Sequence, residues 1–270
     1  MTGGGGDSAV ATGRHDVILG PGRSAGAKGR SVIKLICFVK RNPALTVDEF
    51  HDRWREHHSR LVCETPGVGD RIARYEQNHR LARDYERLDS SDFDGVAVQW
   101  FDSIDDFTAM VADPGYQARV APDEGELLDR DGLIWLLTES EEVFIAGPEQ
   151  RAGPMAKLVC LVKRNAKLGV DQFHRQWRDV HGPLNRDTPA IARHFIRYEQ
   201  NHRLPGDYER GGPDFDGAAI EWFASPREFW AMVAEPDWAA VIAPHEREFL
   251  DVPGLVWILT DMEEVMIGAP

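Results

Sequence analysis

The pattern of apolar and polar positions divides the chain into two similar series of elements. VIKLICFVK, beginning at Val32, is an apolar, β-branched run of strand length. Thr46 and Glu49 have the spacing of a capping box and predict the start of a helix. RYEQNH and GVAVQWF predict two further strands, a second helix begins near Ser103, and GLIWLL forms the last strand. The predicted order is therefore β-α-β-β-α-β.

The same elements occur a second time. KLICFVKRN at Lys34 recurs as KLVCLVKRN at Lys157, and RYEQNHRL at Arg74 recurs unchanged at Arg197. A long repeat that is present twice indicates duplicated domains, not a solenoid. The predicted segments are a flexible leader, a first unit, a short linker and a second unit, at residues 1–31, 32–146, 147–155 and 156–270.

The predicted fold class is α+β, with tandem ferredoxin-like units. In a unit of this order the helices cover one face of a four-stranded sheet, and the other face needs a partner. Two units in one chain can cover each other's free face. We therefore expect two sheets packed face to face as an internal pseudo-dimer, in a monomer that can form a further homo-oligomer.

Composition limits the classes of binding partner and the cellular compartment that we expect. Acidic residues outnumber basic ones by 45 to 31, which gives a formal net charge of -14 and disfavours nucleic acid and anionic membranes. The apolar runs are too short to span a bilayer, and the first 30 residues lack a secretory signal, so we expect a cytoplasmic protein. Three cysteines cannot form a disulfide framework, and no nucleotide-binding or CxxC pattern occurs. We expect no cofactor and no metal.

Three ordered patterns, each present twice, resemble the EthD family of the dimeric α+β barrel superfamily. They occupy nearly all of both units and lie at Lys40 through His58, Arg74–His79, Asp94–Phe101, Arg164 through His181, Arg197–His202 and Asp216–Phe223. One departure is visible, because the family's HxPL turn is kept at His181 but reads His-Ser-Arg-Leu at His58. This difference predicts that the two units are not equivalent.

The resemblance implies a small, mostly hydrophobic or aromatic substrate. Some members of the family are accessory proteins of ether degradation, and others act in polyketide tailoring, including decarboxylation and dehydration, without an obligatory cofactor. Our expectation is a cofactor-independent, lyase-type acid–base enzyme. The alternatives are a binding protein that carries a hydrophobic intermediate for a partner oxygenase, and an oxygenase that is either haem-dependent or cofactor-free.

Histidines are the candidate catalytic residues. His58 and His181 lie on the apolar stripe of the first helix of each unit, one turn after a tryptophan. An imidazole titrates near neutral pH, so a partly buried one can serve as general acid or base. His79 and His202 end the RYEQNH strands and are the candidate helpers.

The candidate substrate-binding residues are aromatic and amide side chains, namely Trp54, Trp177, Tyr75, Tyr198, Gln77, Gln200, Trp100 and Trp222. Strand alternation places Tyr75, Gln77 and His79 on one face of their strand, and the charged Arg74 and Glu76 on the other. The mixed aromatic and polar face suits a ligand cavity better. The sequence leaves open which of the two faces lies between the sheets.

Two further pairs of residues receive structural interpretations. His51 and His174 precede the candidate bases by seven residues, which is too far for two ligands of one metal on a helix. Asp94 and Asp216 each precede a glycine at a strand start, where a turn role is the simplest explanation.

Overall fold

The computed structural model describes residues 32–87, 91–147 and 155–268. The predicted leader and most of the predicted linker fall outside these residues. Within these ranges no helix has the length and apolar character needed to cross a membrane.

Unit one has the predicted order of elements, followed by one more strand. Its strands are β1 to β5, at Ile33–Val39, Arg74–His79, Gly95–Phe101, Ile134–Glu139 and Glu142–Ala146. Its helices are α1 to α4, at Val47–Arg53, Ser59–Glu64, Ile104–Val111 and Ala121–Leu127. The predicted capping box is confirmed, since Thr46 accepts a hydrogen bond from the Glu49 backbone and Glu49 caps Thr46 in return.

Unit two repeats this order. Its strands are β6 to β10, at Ala156–Val162, Phe195–His202, Gly217–Phe223, Val256–Thr260 and Glu264–Ile267. Its helices are α5 to α10, at Val170–Arg175, Gly182–Asp187, Pro189–Ala192, Pro205–Glu209, Pro226–Val233 and Ala243–Phe249. In the residues that the structure describes, four π-helical stretches interrupt the helical layers, at Trp54–His58, Tyr116–Val120, Gln176–His181 and Trp238–Ile242.

The strands form two five-stranded antiparallel sheets that exchange their last strands. The order is β10-β2-β3-β1-β4 in one sheet and β5-β7-β8-β6-β9 in the other. Strand β5 of unit one pairs with β7 of unit two, and β10 of unit two pairs with β2 of unit one. The α+β fold class is confirmed, but the expected four-stranded sheets each gain an edge strand from the other unit, which covers an otherwise open edge.

The two sheets pack face to face through a shared apolar core. Buried residues of both units belong to it, namely Ile36, Phe38, Phe93, Val96, Val98, Leu136, Val159, Leu161, Ala218, Ile220 and Ile258. These side chains come from the faces opposite to the helices, as expected for two ferredoxin-like units that cover each other.

Charged side chains also connect the sheets. The Lys34 ammonium of unit one lies 3.0 Å from Glu199 Oε1 and 2.9 Å from Asn201 Oδ1, both in unit two. Reciprocally, the Lys157 ammonium lies 3.0 Å from Glu76 Oε2. Both lysines are almost completely buried, and each also has an acidic partner in its own unit, Glu141 at 2.9 Å from Lys34 and Glu263 at 3.5 Å from Lys157.

Candidate functional site

The predicted binding residues separate onto the two faces of each sheet. Trp100 and Trp222 lie between the sheets, where the Lys34 and Lys157 ammonium groups approach their rings to 4.9 and 4.7 Å from the centroids. The remaining predicted residues lie on the opposite face, beneath the helices. The mixed face of β2 therefore does not line the space between the sheets, which the charged face occupies instead.

A glutamine joins the sheet of unit one to the helix above it. Gln77 Nε2 donates hydrogen bonds to the Trp54 carbonyl and to the Tyr75 hydroxyl, both at 2.9 Å. The Trp54 carbonyl begins a π-helical stretch and also accepts from the Ser59 backbone N–H. Such stretches often occur at functional sites, and this one ends at His58.

From Gln77 a chain of polar groups continues along the end of the sheet. Gln77 Oε1 lies 3.3 Å from His79 Nε2, and His79 Nδ1 lies 2.7 Å from His51 Nδ1. His51 Nε2 is 2.9 Å from the Tyr85 hydroxyl, which in turn donates to Asp94 at 2.9 Å. Both nitrogens of His79 therefore have partners.

The same chain occurs in unit two. His202 Nδ1 lies 2.7 Å from His174 Nδ1, and His174 Nε2 lies 3.1 Å from the Tyr208 hydroxyl, which donates to Asp216 at 2.9 Å. Burial lowers the pKa of His202 to about 2 and that of His174 to about 4. In unit one burial lowers the pKa of the equivalent rings to about 3 and about 4. The rings are thus neutral near pH 7.

Sequence reasoning missed this chain because its members come from four separate elements. The seven-residue spacing before His58 gave no sign that His51 meets His79. Asp94 was interpreted as a turn residue, yet it accepts from the Tyr85 hydroxyl and from the Arg41 backbone N–H at 2.8 Å. The second occurrence of every member in unit two was the available signal.

His58 has one occupied and one open nitrogen. Its Nδ1 lies 2.8 Å from Asp123 Oδ2, and both side chains are buried. Burial alone would raise the pKa of the Asp123 carboxyl, but hydrogen bonds from His58 and Arg53 lower it below its usual value. His58 Nε2 has no hydrogen-bond partner among the residues described, and it is not sealed from solvent. A carboxylate on one nitrogen and a free lone pair on the other is the arrangement of a general base.

His181 occupies the equivalent position in unit two, but its surroundings differ. Its Nδ1 faces His245 Nδ1 at 3.3 Å, where unit one has Asp123. Its Nε2 lies 3.0 Å from the Asn185 amide nitrogen, which donates to it. Val62 stands at the position of Asn185 in unit one. Burial lowers the pKa of His181 to about 3, so this ring stays neutral and its acceptor nitrogen is already used.

A hollow remains between the helices and the sheet of unit one. Leu35 and Cys37, on the helix-facing side of central strand β1, are half-buried, whereas Ile36 and Phe38 on its other side have no exposure. Because strands flank β1 on both sides, the accessible surface of Leu35 and Cys37 opens beneath the helices. Burial raises the pKa of Cys37 to about 12, so its thiol behaves as a small apolar group.

An acid lies beside this hollow. Both carboxyl oxygens of Glu124 lie 3.0 Å from the Tyr116 hydroxyl. Burial raises the pKa of Glu124, although the charges of His58 and Arg130 oppose this effect. Unit one thus combines an open imidazole nitrogen with a carboxyl group whose pKa is raised by burial.

We also looked for groups of metal ligands and for surface depressions. No group of three or more His, Cys, Asp or Glu side chains in the described parts of the chain is placed to hold a metal ion. Two open surface depressions, of about 740 and 370 Å³, contain none of the predicted site residues.

Comparison with solved structures places the fold among known α+β proteins. A candidate monooxygenase from Fusobacterium nucleatum subsp. nucleatum is 7% identical, with a TM-score of 0.55 over 88% of this chain and 96% of its own. An anthrone oxidase-like protein is 12% identical, with a TM-score of 0.55 over 89% of this chain and 97% of its own. At these identities the likeness concerns the fold.

Sequence comparison identifies the family. A search of curated proteins found no match. The EthD domain family, in contrast, matches twice, at residues 42–131 and 165–253, which together make up more than half of the chain. The protein therefore belongs to the EthD domain family and carries two tandem EthD domains.

Proposed function

We propose that the protein is an acid–base enzyme for a small hydrophobic or aromatic molecule, and that the hollow of unit one is its active site. The observation that carries this proposal is the His58–Asp123 pair, with the Nε2 of His58 left open. The hollow beside it has apolar walls, which suit an aromatic or polyketide-like substrate.

The residues of unit one supply both proton transfers of such a reaction. His58 Nε2 takes a proton from an acidic C–H or O–H group of the substrate, and the Asp123 carboxylate stabilises the imidazolium that forms. Glu124, whose pKa is raised by burial, is the acid that returns a proton. In the decarboxylation of a β-keto acid, the base removes the carboxyl proton, the C–C bond to the departing CO₂ breaks, its electron pair moves onto the substrate's own β-carbonyl, and the enolate takes the returned proton. In a dehydration, the base removes a proton α to the carbonyl, and the returned proton leaves with the β-hydroxyl group as water. In an aldol-type cyclisation, the carbanion adds to a second carbonyl, and the alkoxide that forms takes the returned proton.

The test is turnover of three probe classes by the full chain. Aromatic β-keto acids report decarboxylation, aromatic β-hydroxy ketones report dehydration, and anthrone with an oxygen electrode reports base-dependent oxidation. We expect one class to react, and His58→Gln and Asp123→Asn to lower kcat by about 10²–10⁴-fold, the usual contribution of a general base. His181→Gln is the matched control and should keep kcat within about three-fold of the wild type.

The same experiment separates the alternatives. Unchanged turnover in His58→Gln would contradict the proposal. Tight binding of a probe class without any turnover would favour a carrier of hydrophobic intermediates. Oxygen uptake that depends on His58 would keep the base but change the reaction to an oxygenation.

A further inference from the structure

Unit two contains a carboxyl group beneath its helices that belongs neither to the histidine chain nor to the His181 pair. Glu221 stands on the helix-facing side of central strand β8, directly between Tyr198 on β7 and Leu158 on β6. Both neighbours are buried members of the apolar core of unit two. Unit one has the neutral Gln99 at the equivalent position, so the carboxyl group is specific to unit two.

A second carboxyl group lies close to the first. Glu246 of α10 faces the same layer, and burial raises the pKa of Glu221 to about 8 and that of Glu246 to about 7. The charge of Glu246 raises the pKa of Glu221 further. Neither carboxyl group has a hydrogen bond or a salt bridge within residues 155–268, in contrast to Glu124 of unit one, which is bonded to Tyr116. Carboxyl groups among apolar side chains are normally paired, and although the charge of Arg247 opposes the effect of burial on the pKa of Glu246, neither glutamate forms an ion pair in the described structure.

Two hydrogen-bond donors in the same unit are also unused. The Tyr198 side chain is 2% exposed, and its hydroxyl oxygen accepts from Gln200 Nε2 at 2.9 Å, yet no described residue accepts its proton. His181 donates from Nδ1 to His245 Nδ1, because Asn185 occupies its other nitrogen, and the proton of His245 is therefore on Nε2. His245 Nε2 is sealed from solvent and has no partner in the described structure. These donors call for an acceptor oxygen.

Space for a small ligand exists next to Glu221. Glu221 is only half-buried although strands flank β8 on both sides, so its accessible surface opens beneath the helices, and Glu246 is half-buried as well. Aromatic side chains surround this layer, namely Phe144, Trp177, Tyr198, Trp238 and Phe249. Rings of this kind stabilise an organic cation through their faces.

We propose that unit two binds a small aromatic amine that also carries a hydroxyl group, with the ammonium placed against Glu221 and Glu246. The amine supplies the missing positive charge, the aromatic ring packs against the apolar layer, and the hydroxyl oxygen accepts from an unused donor. A metal ion fits less well, because no third ligating side chain joins the two glutamates in the described structure. The formal net charge of -14 also attracts cations to the protein. This site is independent of the reaction proposed for unit one.

Tyramine and tyrosol test the proposal, because they share one phenol and differ only in an ammonium or a hydroxyl at the end of the side chain. Titration calorimetry of the full chain at pH 7.5 should show tyramine binding at least about ten-fold more tightly than tyrosol, as expected for an ion pair away from bulk water. Glu221→Gln recreates the residue of unit one and should abolish this preference. Glu209→Gln removes the same charge from an exposed site and should retain it.

Three results would overturn the proposal. They are equal affinity for the two probes, no binding of either, and a preference for tyramine that survives in Glu221→Gln. Should Glu221→Gln fail to fold by circular dichroism, Glu246→Gln provides the same comparison. His58→Gln should leave the preference unchanged, so failure of the unit-one reaction and failure of this site can be distinguished.

Discussion

The two units share one framework and differ in the groups placed beneath their helices. In unit one an aspartate holds Nδ1 of His58 and leaves Nε2 open, whereas in unit two Asn185 occupies Nε2 of His181. The glutamine, the two histidines, the tyrosine and the aspartate that anchor the helices to the sheet are the same in both. Gene duplication thus kept the frame and changed the chemistry of the two hollows.

The largest loss of stability is expected from variants at the interface between the sheets, where both units use the same buried lysine. Lys34→Ala removes one of the two cations that pair with buried Glu199 and leaves only Arg197, so it should lower the free energy of unfolding by about 1–3 kcal/mol. Lys157→Ala should cost a similar amount, because Glu76 is its equivalent partner. Urea unfolding measures both values. Lys167→Ala, at an exposed position, should change stability by less than about 0.5 kcal/mol, and equal effects of all three variants would contradict the account.

The pH dependence of stability tests the buried imidazoles that the units have in common. The unfolded rings take up protons near pH 6.5, while burial lowers the pKa of the native rings to about 2–4. Below about pH 6.5 the unfolded chain therefore binds more protons, and stability should fall by about 1.4 kcal/mol per pH unit for each such ring.

Two carboxyl groups oppose this trend. Glu221 and Glu246 have native pKa values of about 8 and 7, so the native state gains protons at these sites as the pH falls. The imidazoles outnumber them, and the net effect below pH 6.5 is a loss. Urea midpoints that stay constant between pH 7 and pH 5 would contradict the neutral, buried state of the rings.

Glu221→Gln tests how the carboxyl group that only unit two carries at this position affects the pH dependence of stability. Native Glu221 holds its proton up to about pH 8, whereas the unfolded residue ionises near 4.3, so the wild type loses stability as the pH rises between these values. The variant should be more stable than the wild type at pH 8 by on the order of 1–3 kcal/mol, since partial solvent access reduces the full linkage value. At pH 4.5 the gain should vanish. Gln99→Glu in unit one should show the opposite sign.

An exchange of one side chain should move the chemistry of one unit towards that of the other. Val62→Asn places an amide near Nε2 of His58 and should lower kcat of unit one by about ten-fold, because the acceptor nitrogen becomes occupied. Val62→Leu keeps the position apolar and serves as the control. Equal kcat values for Val62→Asn and Val62→Leu would show that access to Nε2 does not limit the reaction.

The repeated strand and helix patterns predicted the element order and the face-to-face packing of the sheets. They could not predict the exchange of β5 and β10, because the strands that receive them, β2 and β7, both contain RYEQNH. Each exchanged strand would therefore meet the same residues whether it paired within its own unit or with the other unit. The choice depends on the path of the chain after β4 and β9, which local patterns do not report.

The candidate base was found from its place on an apolar helix stripe, but its activation was not. Asp123 lies 65 residues after His58 and meets it only when α4 packs against the first helix. Comparison of the two repeats offered a signal, because Asp123 and Val62 of unit one are replaced by His245 and Asn185 in unit two. The roles of His58, His181, His79 and His202 remain predictions until turnover is measured.

The most direct test of the asymmetry is long-range ¹H–¹⁵N correlation spectroscopy of the histidine rings in the wild type and in Asn185→Val. In the wild type, Nε2 of His58 should have the shift of an unprotonated nitrogen with a free lone pair, while Nε2 of His181 should show the displacement caused by a hydrogen bond. Asn185→Val should remove that displacement and leave the His58 signal unchanged. Identical Nε2 shifts for His58 and His181 in the wild type would contradict the assignment of an open base to unit one and a blocked one to unit two.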